Sequence, residues 1–273
     1  MTAANDGSNK LLFLHIPKTA GSSLTRILKS NFRKKKIFHQ MDPRELEKHL
    51  EAGDCPQRLY IGHYGYDLVN RFKVRPKVLT VLRDPRQRVI SHYYFYRAYD
   101  EAALGPWEKK IAELCRRHDF RTFITLDVPE IEQSFSNLQT RQLASTTDCR
   151  VPADGSGRRN LLAEACEHLE LLDFVGIVEE FERSLELLAH QFGIYRRFKT
   201  VSENVNPARV QREDDLKIFD SNEIAHSRVA LDEELYSVGK QLFESACQQM
   251  PEQPISFGQR LVNHPLIRKL VNH

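Results

Sequence analysis

Short runs of consecutive apolar residues alternate along the chain with longer stretches of helical apolar spacing. Four runs, near residues 11–15, 58–62, 77–82 and 173–178, are short and apolar enough for buried β-strands. In the stretches between them, apolar residues recur every three or four positions, which is typical of helices that pack on a sheet. This alternation predicts an α/β fold with a central parallel sheet and helices on both faces.

Capping and turn residues locate some of the helix ends. Asp42 as the N-cap and Pro43 at the first helical position predict a helix over residues 42–50. Acidic residues that follow the last strand predict a second helix, Phe181–Phe192. The stretch 148–159 contains proline and two glycines, and it predicts a loop.

The first predicted strand leads into a turn and a helix with the composition of a phosphate-binding loop. Residues 11–23 read LLFLHIPKTAGSS, and apolar spacing resumes at Leu24. Helix N-termini attract anions because their free N–H groups and the helix dipole point at the ligand. The turn adds a lysine, hydroxyl donors and a glycine that lets the backbone close tightly. The candidate ligands of a phosphate are Pro17, Lys18, Thr19, Ala20, Gly21, Ser22 and Ser23.

The order of residues in this loop excludes two common nucleotide-binding motifs. In the P-loop of NTP-hydrolysing proteins the lysine follows the last glycine, whereas here Lys18 precedes Gly21. The G-x-G-x-x-G fingerprint of dinucleotide-binding folds is missing from this turn as well. An ordinary strand–turn–helix, whose Ser and Thr residues only cap the helix, stays open as the simpler alternative.

A second strand–turn–helix supplies a matching anion site. Residues 76–97 read PKVLTVLRDPRQRVISHYYFYR, in which Arg83 closes the strand and Pro85 starts the helix. Ser91 falls about two turns into that helix. Ligands of open parallel sheets bind outside the carboxyl ends of the strands. One anion could therefore contact both Lys18 and Arg83, and the guanidinium fork suits a phosphate.

Together the two segments resemble the sulfotransferases that use 3′-phosphoadenosine 5′-phosphosulfate (PAPS). They are most similar to the family 2 carbohydrate type, which includes the heparan sulfate 2-O-sulfotransferases. In that family P-K-T-x-G-[ST], here residues 17–22, binds the 5′-phosphosulfate. R-D-P-x-x-R-x-x-S-x-[YF], here residues 83–93, binds the 3′-phosphate through Arg83 and Ser91. The resemblance implies a P-loop-like three-layer sandwich, PAPS as donor, 3′-phosphoadenosine 5′-phosphate (PAP) as product, and no metal.

The resemblance also implies the catalytic residues. The 2-O-sulfotransferases carry a G-H pair between the two motifs, and its histidine, His63 here, is the proposed base. A sugar hydroxyl is a poor nucleophile, so a positioned base must take its proton. Lys18 would neutralise charge on the leaving phosphate oxygen. His15 and His92 adjoin the binding motifs and are rival bases, although His15 is expected to orient the loop and His92 to pack locally.

Weaker similarity extends over residues 10–245. Asn137–Arg141 resembles an N-x-x-T-R stretch of relatives, and residues 173–181 resemble the late strand of the family. Residues 204–209 resemble a loop that closes near the nucleotide in relatives. Arg209 is therefore a candidate phosphate ligand, with a solvated surface charge as the equal alternative.

Chain length and terminal composition set the predicted domains. A chain of 273 residues suits one large α/β domain. We place the sulfotransferase domain at residues 10–250, after a flexible tail at 1–9 and before an extension at 251–273. The extension is short, basic and amphipathic. Packing on its own domain is the favoured interpretation, and peripheral membrane association is the alternative.

Composition narrows the class of protein. A net charge of +3 and a pI of about 8.5 are too balanced to predict nucleic-acid binding. The five cysteines are scattered and no His/Cys cluster has metal-ligand spacing, so no metal is predicted. No apolar run approaches the ~20 residues of a membrane span, and no signal peptide is visible. Animal family members are anchored Golgi proteins; here a cytoplasmic, bacterial enzyme is predicted, with a shortened Golgi enzyme as the alternative.

The sequence thus predicts a sulfotransferase that moves a sulfuryl group from PAPS to a hydroxyl, in the favoured interpretation that of a carbohydrate, and releases PAP. One alternative is a nucleotide or sugar kinase on a similar scaffold, against which the order of Lys18 and Gly21 counts. Another is a PAP-binding protein without catalysis, against which Lys18 and His63 count. A polysaccharide, a lipid-linked glycan, a small glycoside and a protein tyrosine stay open as acceptors, and the oligomeric state is not predicted.

Overall fold

A five-stranded parallel sheet forms the centre of the protein. The computed structural model describes the backbone of residues 9–53, 55–100, 102, 104–144, 155–194 and 212–250. Within these ranges the strands are β1 (Leu11–Leu14), β2 (Ile37–His39), β3 (Leu59–Gly62), β4 (Lys77–Leu82) and β5 (Phe174–Ile177). Their order across the sheet is β2-β3-β1-β4-β5. The predicted tail, the extension and Arg209 lie outside the described residues, apart from Asn9, so the domain limits stay predictions.

Helices connect and cover the strands. Those in the described ranges are α1 (Gly21–Ser30), α2 (Pro43–Glu51), α3 (Pro85–Ala98), α4 (Pro106–Arg117), α5 (Phe120–Thr125), α6 (Pro129–Phe135), α7 (Leu138–Leu143), α8 (Gly155–Glu170), α9 (Phe181–Phe192), α10 (Arg212–Ser221), α11 (Glu223–Ser227) and α12 (Ala230–Gln248). The predicted helices after Asp42 and at Phe181 are confirmed, and the Asp42 side chain accepts from the Arg44 N–H at 2.9 Å.

Both faces of the sheet are covered. Consecutive side chains of a strand point to opposite faces, and all four residues of β1 are at most 3% exposed. The residues of β3 and β5 are buried as well. Parallel strands that are buried on both faces read as continuous apolar runs, which is why these three and β4 were predictable. The predicted α/β sandwich with a central parallel sheet is confirmed.

Two elements differ from the sequence predictions. β2 was not predicted, because it is a half-buried edge strand with only two apolar residues after a basic run. The prediction of a loop over 148–159 is wrong for residues 155–159, since these form the start of α8. The glycines at 155 and 157 stand in the first turn of this helix. Residues 148–154 lie outside the described residues.

A second apolar core lies among helices. It is built by residues of α3, α4, α5, α6, α10 and α11, and its larger members include Tyr93, Phe123, Phe135 and Phe219. Helix α3 therefore starts at the sheet edge and packs its apolar residues into a separate helical layer. The first turn of α3 lies next to the end of β4, since only two residues separate the two elements.

Helix α7 is short and almost entirely buried although most of its side chains are polar. Gln139, Thr140 and Arg141 are fully buried and Gln142 is nearly so. The carboxylate of Asp232, at the start of α12, accepts from the N–H groups of Gln139 and Thr140 and from the Thr140 hydroxyl at 2.7–3.2 Å. Buried polar groups must be hydrogen-bonded in this way, because an unpaired one costs about 1–3 kcal/mol.

Asn137 joins α7 to α12. It adopts a left-handed conformation with φ 44° and ψ 43° at the start of α7. Its Oδ1 accepts from the N–H groups of Leu231 and Asp232 at 2.8 and 3.2 Å, and its Nδ2 donates to the Ser227 carbonyl at 2.9 Å. Oδ1 of the asparagine in the N-x-x-T-R stretch thus accepts from two N–H groups in the first turn of α12.

Replacing Asn137 by alanine should lower the free energy of unfolding by about 3 kcal/mol, because two buried N–H groups lose their acceptor and alanine disfavours left-handed backbone. Urea unfolding followed by circular dichroism measures the loss. Asn70→Ala, at an exposed asparagine, is the control and should change the stability by less than about 0.5 kcal/mol. Equal losses in the two variants would contradict the structural role of Asn137.

Candidate functional site

Three loops meet at one edge of the sheet. β1 lies between β3 and β4, all three are parallel, and their carboxyl ends lead into the loops that begin with His15, His63 and Arg83. From β1 the chain continues towards β2, and from β4 towards β5, so the two connections leave in opposite directions. Ligands of open α/β sheets bind in the crevice at such a point. The connections diverge here between β1 and β4, so a ligand crevice is expected between the Lys18 loop and Arg83.

The loop after β1 has an unusual backbone. Lys18 and Ala20 both have positive φ, 70° and 57°, although neither is a glycine. Such conformations are unfavourable by about 1–2 kcal/mol per residue and concentrate at ligand sites. Ala20 is the N-cap of α1 and provides no side-chain hydrogen bond to the helix. The N–H groups of the first turn of α1 are therefore not capped by this side chain.

The side chains of this loop divide into supporting and accessible groups. Thr19 is fully buried, and its hydroxyl donates to the Ile16 carbonyl at 2.9 Å, so it stabilises the turn instead of facing the crevice. Ser22 is exposed and Ser23 is partly exposed at the start of α1. The hydroxyl groups available to a ligand are therefore those of the two serines.

Arg83 is attached to the loop after β1. Its Nη1 donates to the Lys18 carbonyl at 3.1 Å, and its side chain is half-buried. Its backbone N–H donates to Gln139 Oε1 at 3.0 Å, and its carbonyl accepts from Gln139 Nε2 at 2.9 Å. The structure thus brings together the two residues, Lys18 and Arg83, that the sequence predicts as anion ligands.

Helix α3 completes this side of the crevice. Lys18 Nζ lies 4.1 Å from the centre of the Phe95 ring on α3. Ser91 precedes Phe95 by one helical turn, so both lie on the face that Lys18 contacts. The N-terminus of α3 is capped by Asp84, whose Oδ1 accepts from the Gln87 N–H at 2.9 Å. The predicted anion ligands on this side, Arg83 and Ser91, are both partly exposed.

Histidines end three adjacent strands. His39 ends β2, and His63 and His15 directly follow β3 and β1, so the row crosses the sheet edge in that order. The rings of His15 and His63 are 4.8 Å apart in an edge-to-face contact. His39 Nδ1 lies 2.9 Å from Lys29 Nζ. Sequence reasoning missed His39 because it missed β2; the pair of apolar residues before it was the available signal.

The His15 ring lies directly against Gly21. A Cβ atom at position 21 would fall 1.8 Å from His15 Nε2, so no other residue fits beside this ring. The opposite contact of the ring is a stack on Phe13 at 5.5 Å. His15 thus supports the glycine of the loop from below, as expected for an orienting residue.

A comparison with known proteins identifies the family. A family model described as the sulfotransferase family, of the family 2 type, matches residues 2–237. The chain belongs to this family. An uncharacterized protein of Archaeoglobus fulgidus is 26% identical to this sulfotransferase over 238 residues, which cover 81% of the chain and 87% of the relative. The match to the family model confirms the resemblance drawn from the two motifs, and it supports a transferase that moves sulfuryl groups.

The histidines of the sulfotransferase are held neutral. Burial, with a smaller effect of neighbouring His63, His39 and Lys18, lowers the pKa of His15 to about 3. Burial and then His39 lower the pKa of His63 to about 4. Both rings are therefore unprotonated at pH 7. Of the two, His63 is the more exposed, so it is the better placed to meet an acceptor.

His92 is enclosed by aromatic side chains. Its ring centre lies 4.6 Å from Phe135 and 4.9 Å from Tyr96, and the side chain is 5% exposed. Burial, followed by the charges of Arg88 and Lys18, lowers the pKa of His92 well below its ordinary value. These contacts are those of a packing residue.

Neither a metal cluster nor a membrane span is visible in the part of the chain that the structure describes. No group of three or more His, Cys, Asp or Glu side chains within it is arranged to hold a metal ion. None of its helices combines the length and the apolar character that a membrane crossing needs.

The buried histidines couple stability to pH. Their folded pKa values lie below the unfolded value of 6.5, so below pH 6.5 the unfolded chain binds more protons. The contribution of these histidines to the free energy of unfolding is fully present above pH 6.5. It falls as the pH drops from 6.5 towards the pKa values of the folded protein. Each such histidine should remove about 1.4 kcal/mol between pH 7.5 and 5.5. Urea unfolding of the parent at both pH values measures the sum.

His92→Gln should reduce this pH-dependent loss by about 1.4 kcal/mol, because glutamine does not titrate. Asn70→Ala, at an exposed residue that does not titrate, is the control and should keep the parental loss. A His92→Gln variant that loses as much stability as the parent between the two pH values would contradict the neutral state of His92.

Proposed function

We propose that this sulfotransferase transfers the sulfuryl group of PAPS to a hydroxyl of a carbohydrate acceptor and releases PAP. The observation that carries the proposal is the hydrogen bond from Arg83 to the Lys18 carbonyl, 3.1 Å long. It holds the Arg83 side chain against the main chain of the loop that carries Lys18, while the Lys18 ammonium lies against Phe95 of α3. A donor with a phosphate at its 3′ position and a phosphosulfate at its 5′ position needs a pair of anion sites.

The two ends of the donor would be held by different groups. The backbone N–H groups of residues 18–21, together with Ser22 and Ser23, bind the 5′-phosphosulfate at the N-terminus of α1. Arg83 and Ser91 bind the 3′-phosphate, and this contact separates PAPS from nucleotides that lack it. Arg209 is proposed as a further phosphate ligand on the resemblance alone, since it lies outside the described residues.

The order of the strands supports this assignment of roles. Arg83 follows β4, Lys18 lies in the loop after β1, and His63 follows β3, so donor and base occupy neighbouring positions along the sheet edge. His63 takes the proton of the acceptor hydroxyl as its oxygen attacks sulfur. The bond from sulfur to the 5′-phosphate oxygen breaks, and Lys18 neutralises the charge left on that oxygen. The products are a sulfate ester, PAP and protonated His63.

The choice of a carbohydrate acceptor rests on the likeness to the family 2 sequences. An acceptor panel with radiolabelled PAPS, assayed in EDTA because the proposed mechanism uses no metal, tests it against lipid-linked and tyrosine acceptors. Activity that is lost in EDTA and restored by Mg²⁺, with phosphate transferred from ATP, would favour the kinase alternative. Cytoplasmic location and bacterial origin stay predictions.

PAP should bind much more tightly than AMP, because Arg83 and Ser91 recognise the 3′-phosphate. A charge-assisted hydrogen bond contributes about 1.5–3 kcal/mol, so Arg83→Ala should weaken PAP about 10–150-fold and AMP hardly at all. Isothermal titration calorimetry of parent and variant with both nucleotides measures this difference.

Arg75→Ala provides the matched control. Arg75 precedes β4 at the opposite edge of the sheet and pairs with Asp173 at 2.9 Å. Its loss should leave the affinity for PAP unchanged. Equal affinity of the parent for PAP and AMP would overturn the assignment of Arg83 and Ser91.

His63→Ala should abolish most sulfuryl transfer while PAP still binds, because a base acts on the acceptor. Removal of a general base lowers the rate about 10²–10⁴-fold. Lys18→Ala should lower both turnover and the affinity for PAP, since Lys18 contacts the donor. Initial rates with radiolabelled PAPS, together with PAP titrations, separate the two roles.

His15→Ala and His92→Ala are the comparison variants, and both should lose less activity than His63→Ala. A His63→Ala protein that keeps more than about a tenth of the parental rate would show that another group is the base. His15 would then be the first candidate, since its ring adjoins His63.

A further inference from the structure

Two glutamines of α7 contact all three loops of the candidate site. Gln139 forms a pair of hydrogen bonds, 2.9 and 3.0 Å long, with the main chain of Arg83. Gln142 Nε2 donates to the carbonyl of His15 at 3.2 Å and to the carbonyl of Tyr64 at 2.9 Å. The three loops therefore share one helix as a common support.

The support is itself fixed from its other side. Asp232 binds the first N–H groups of α7, as described above. The guanidinium of Arg141 donates to the carbonyls of Ser136 and Gln133 at 2.9 and 2.5 Å. Neither of these anchors involves the three loops. The position of α7 is thus determined independently of them, and the glutamines transmit that position to the site.

The hydrogen bonds of the glutamines are made at and just beyond the carboxyl ends of the paired strands. Arg83 and Tyr64 lie beyond the last paired residues of β4 and β3, and His15 lies beyond the last residue of β1. Both glutamine side chains are at most 2% exposed, so water does not compete for these bonds. A loop that lost its glutamine would leave buried polar groups unpaired and would move to satisfy them.

We propose that Gln139 and Gln142 are positioning residues with separate tasks: Gln139 sets the donor side of the site, and Gln142 sets the side of the base. The division follows from their partners and rests on the proposed function. Gln139 holds Arg83, which binds the 3′-phosphate. Gln142 holds His15, whose ring adjoins His63, and Tyr64, which follows His63 in the chain.

The experiment replaces each glutamine by methionine, which has a similar shape and cannot form these hydrogen bonds. Thr140→Val is the matched control, because Thr140 lies on the same buried helix and its hydroxyl binds Asp232 instead of a loop. Calorimetry with PAP gives donor affinity, radiolabelled PAPS gives kcat, and amide hydrogen exchange and histidine ring signals in NMR spectra report on the free protein.

Gln139→Met should weaken PAP at least about 10-fold, because a displaced Arg83 loses a charged contact. Gln142→Met should keep PAP affinity within about 3-fold and lower kcat about 10–100-fold, since a misplaced reacting group reduces the rate by that order. Thr140→Val should lose stability and keep both quantities within about 2-fold, as expected for a residue that only supports the fold.

The free protein gives a readout that is independent of PAPS. The Arg83 amide should exchange faster in Gln139→Met, and the His15 and His63 ring signals should shift in Gln142→Met, with neither change in Thr140→Val. A parent that binds no PAP would refute the proposed function, and these free-state signals would still decide whether the glutamines hold the loops. Unchanged signals, or equal effects of all three variants on PAP and kcat, would overturn the positioning roles.

Discussion

The hydrogen-bond register that places β1 between β3 and β4 is the interaction on which the site depends. Leu14 is opposite Gly62 on one side and Thr80 on the other. The ladder continues from the His15 N–H to the Gly62 carbonyl at 2.9 Å, and the Thr80 hydroxyl donates to the Leu14 carbonyl at 3.0 Å. A slip of one residue would move every side chain to the opposite face. This register therefore decides which side chains stand together at the carboxyl edge.

A buried polar layer connects this edge to the helical part of the protein. Arg88 of α3 is fully buried, donates to the Phe135 carbonyl at 2.7 Å and lies 4.0 Å from Asp232. Burial, partly offset by Asp232, lowers the pKa of Arg88 to about 10, so it stays charged at pH 7. Buried ion pairs add little net stability, but they penalise alternative packings in which one charge is left alone. Here the pair of Arg88 and Asp232 links α3 to α12.

The parts that could be predicted from the sequence are those encoded by neighbouring residues. The buried strands are continuous apolar runs, and the loop after β1 carries its lysine, glycine and serines within a few positions. β2 was not predicted, because an edge strand buries too few side chains to require an apolar run. The start of α8 was predicted as a loop, because its two glycines favour a loop.

The contacts of α7 could not be predicted for a different reason. Gln139 meets Arg83 across 56 positions of sequence, and Gln142 meets His15 across 127. Such pairs leave no local pattern. By pattern alone, a buried glutamine on a short helix is indistinguishable from a solvated one. Only the packed fold shows that these polar side chains are turned towards the loops.

The contact between Gly21 and His15 means that a substitution at one position depends on the residue at the other. A methyl group at position 21 and an imidazole at position 15 occupy the same volume. A larger residue at 21 is compatible with the fold only if the ring at 15 is lost or displaced in the same step. In any library of variants of this protein, the two positions must therefore be varied jointly. A single substitution at 21 clashes with the His15 ring, and such a variant would be lost from the library.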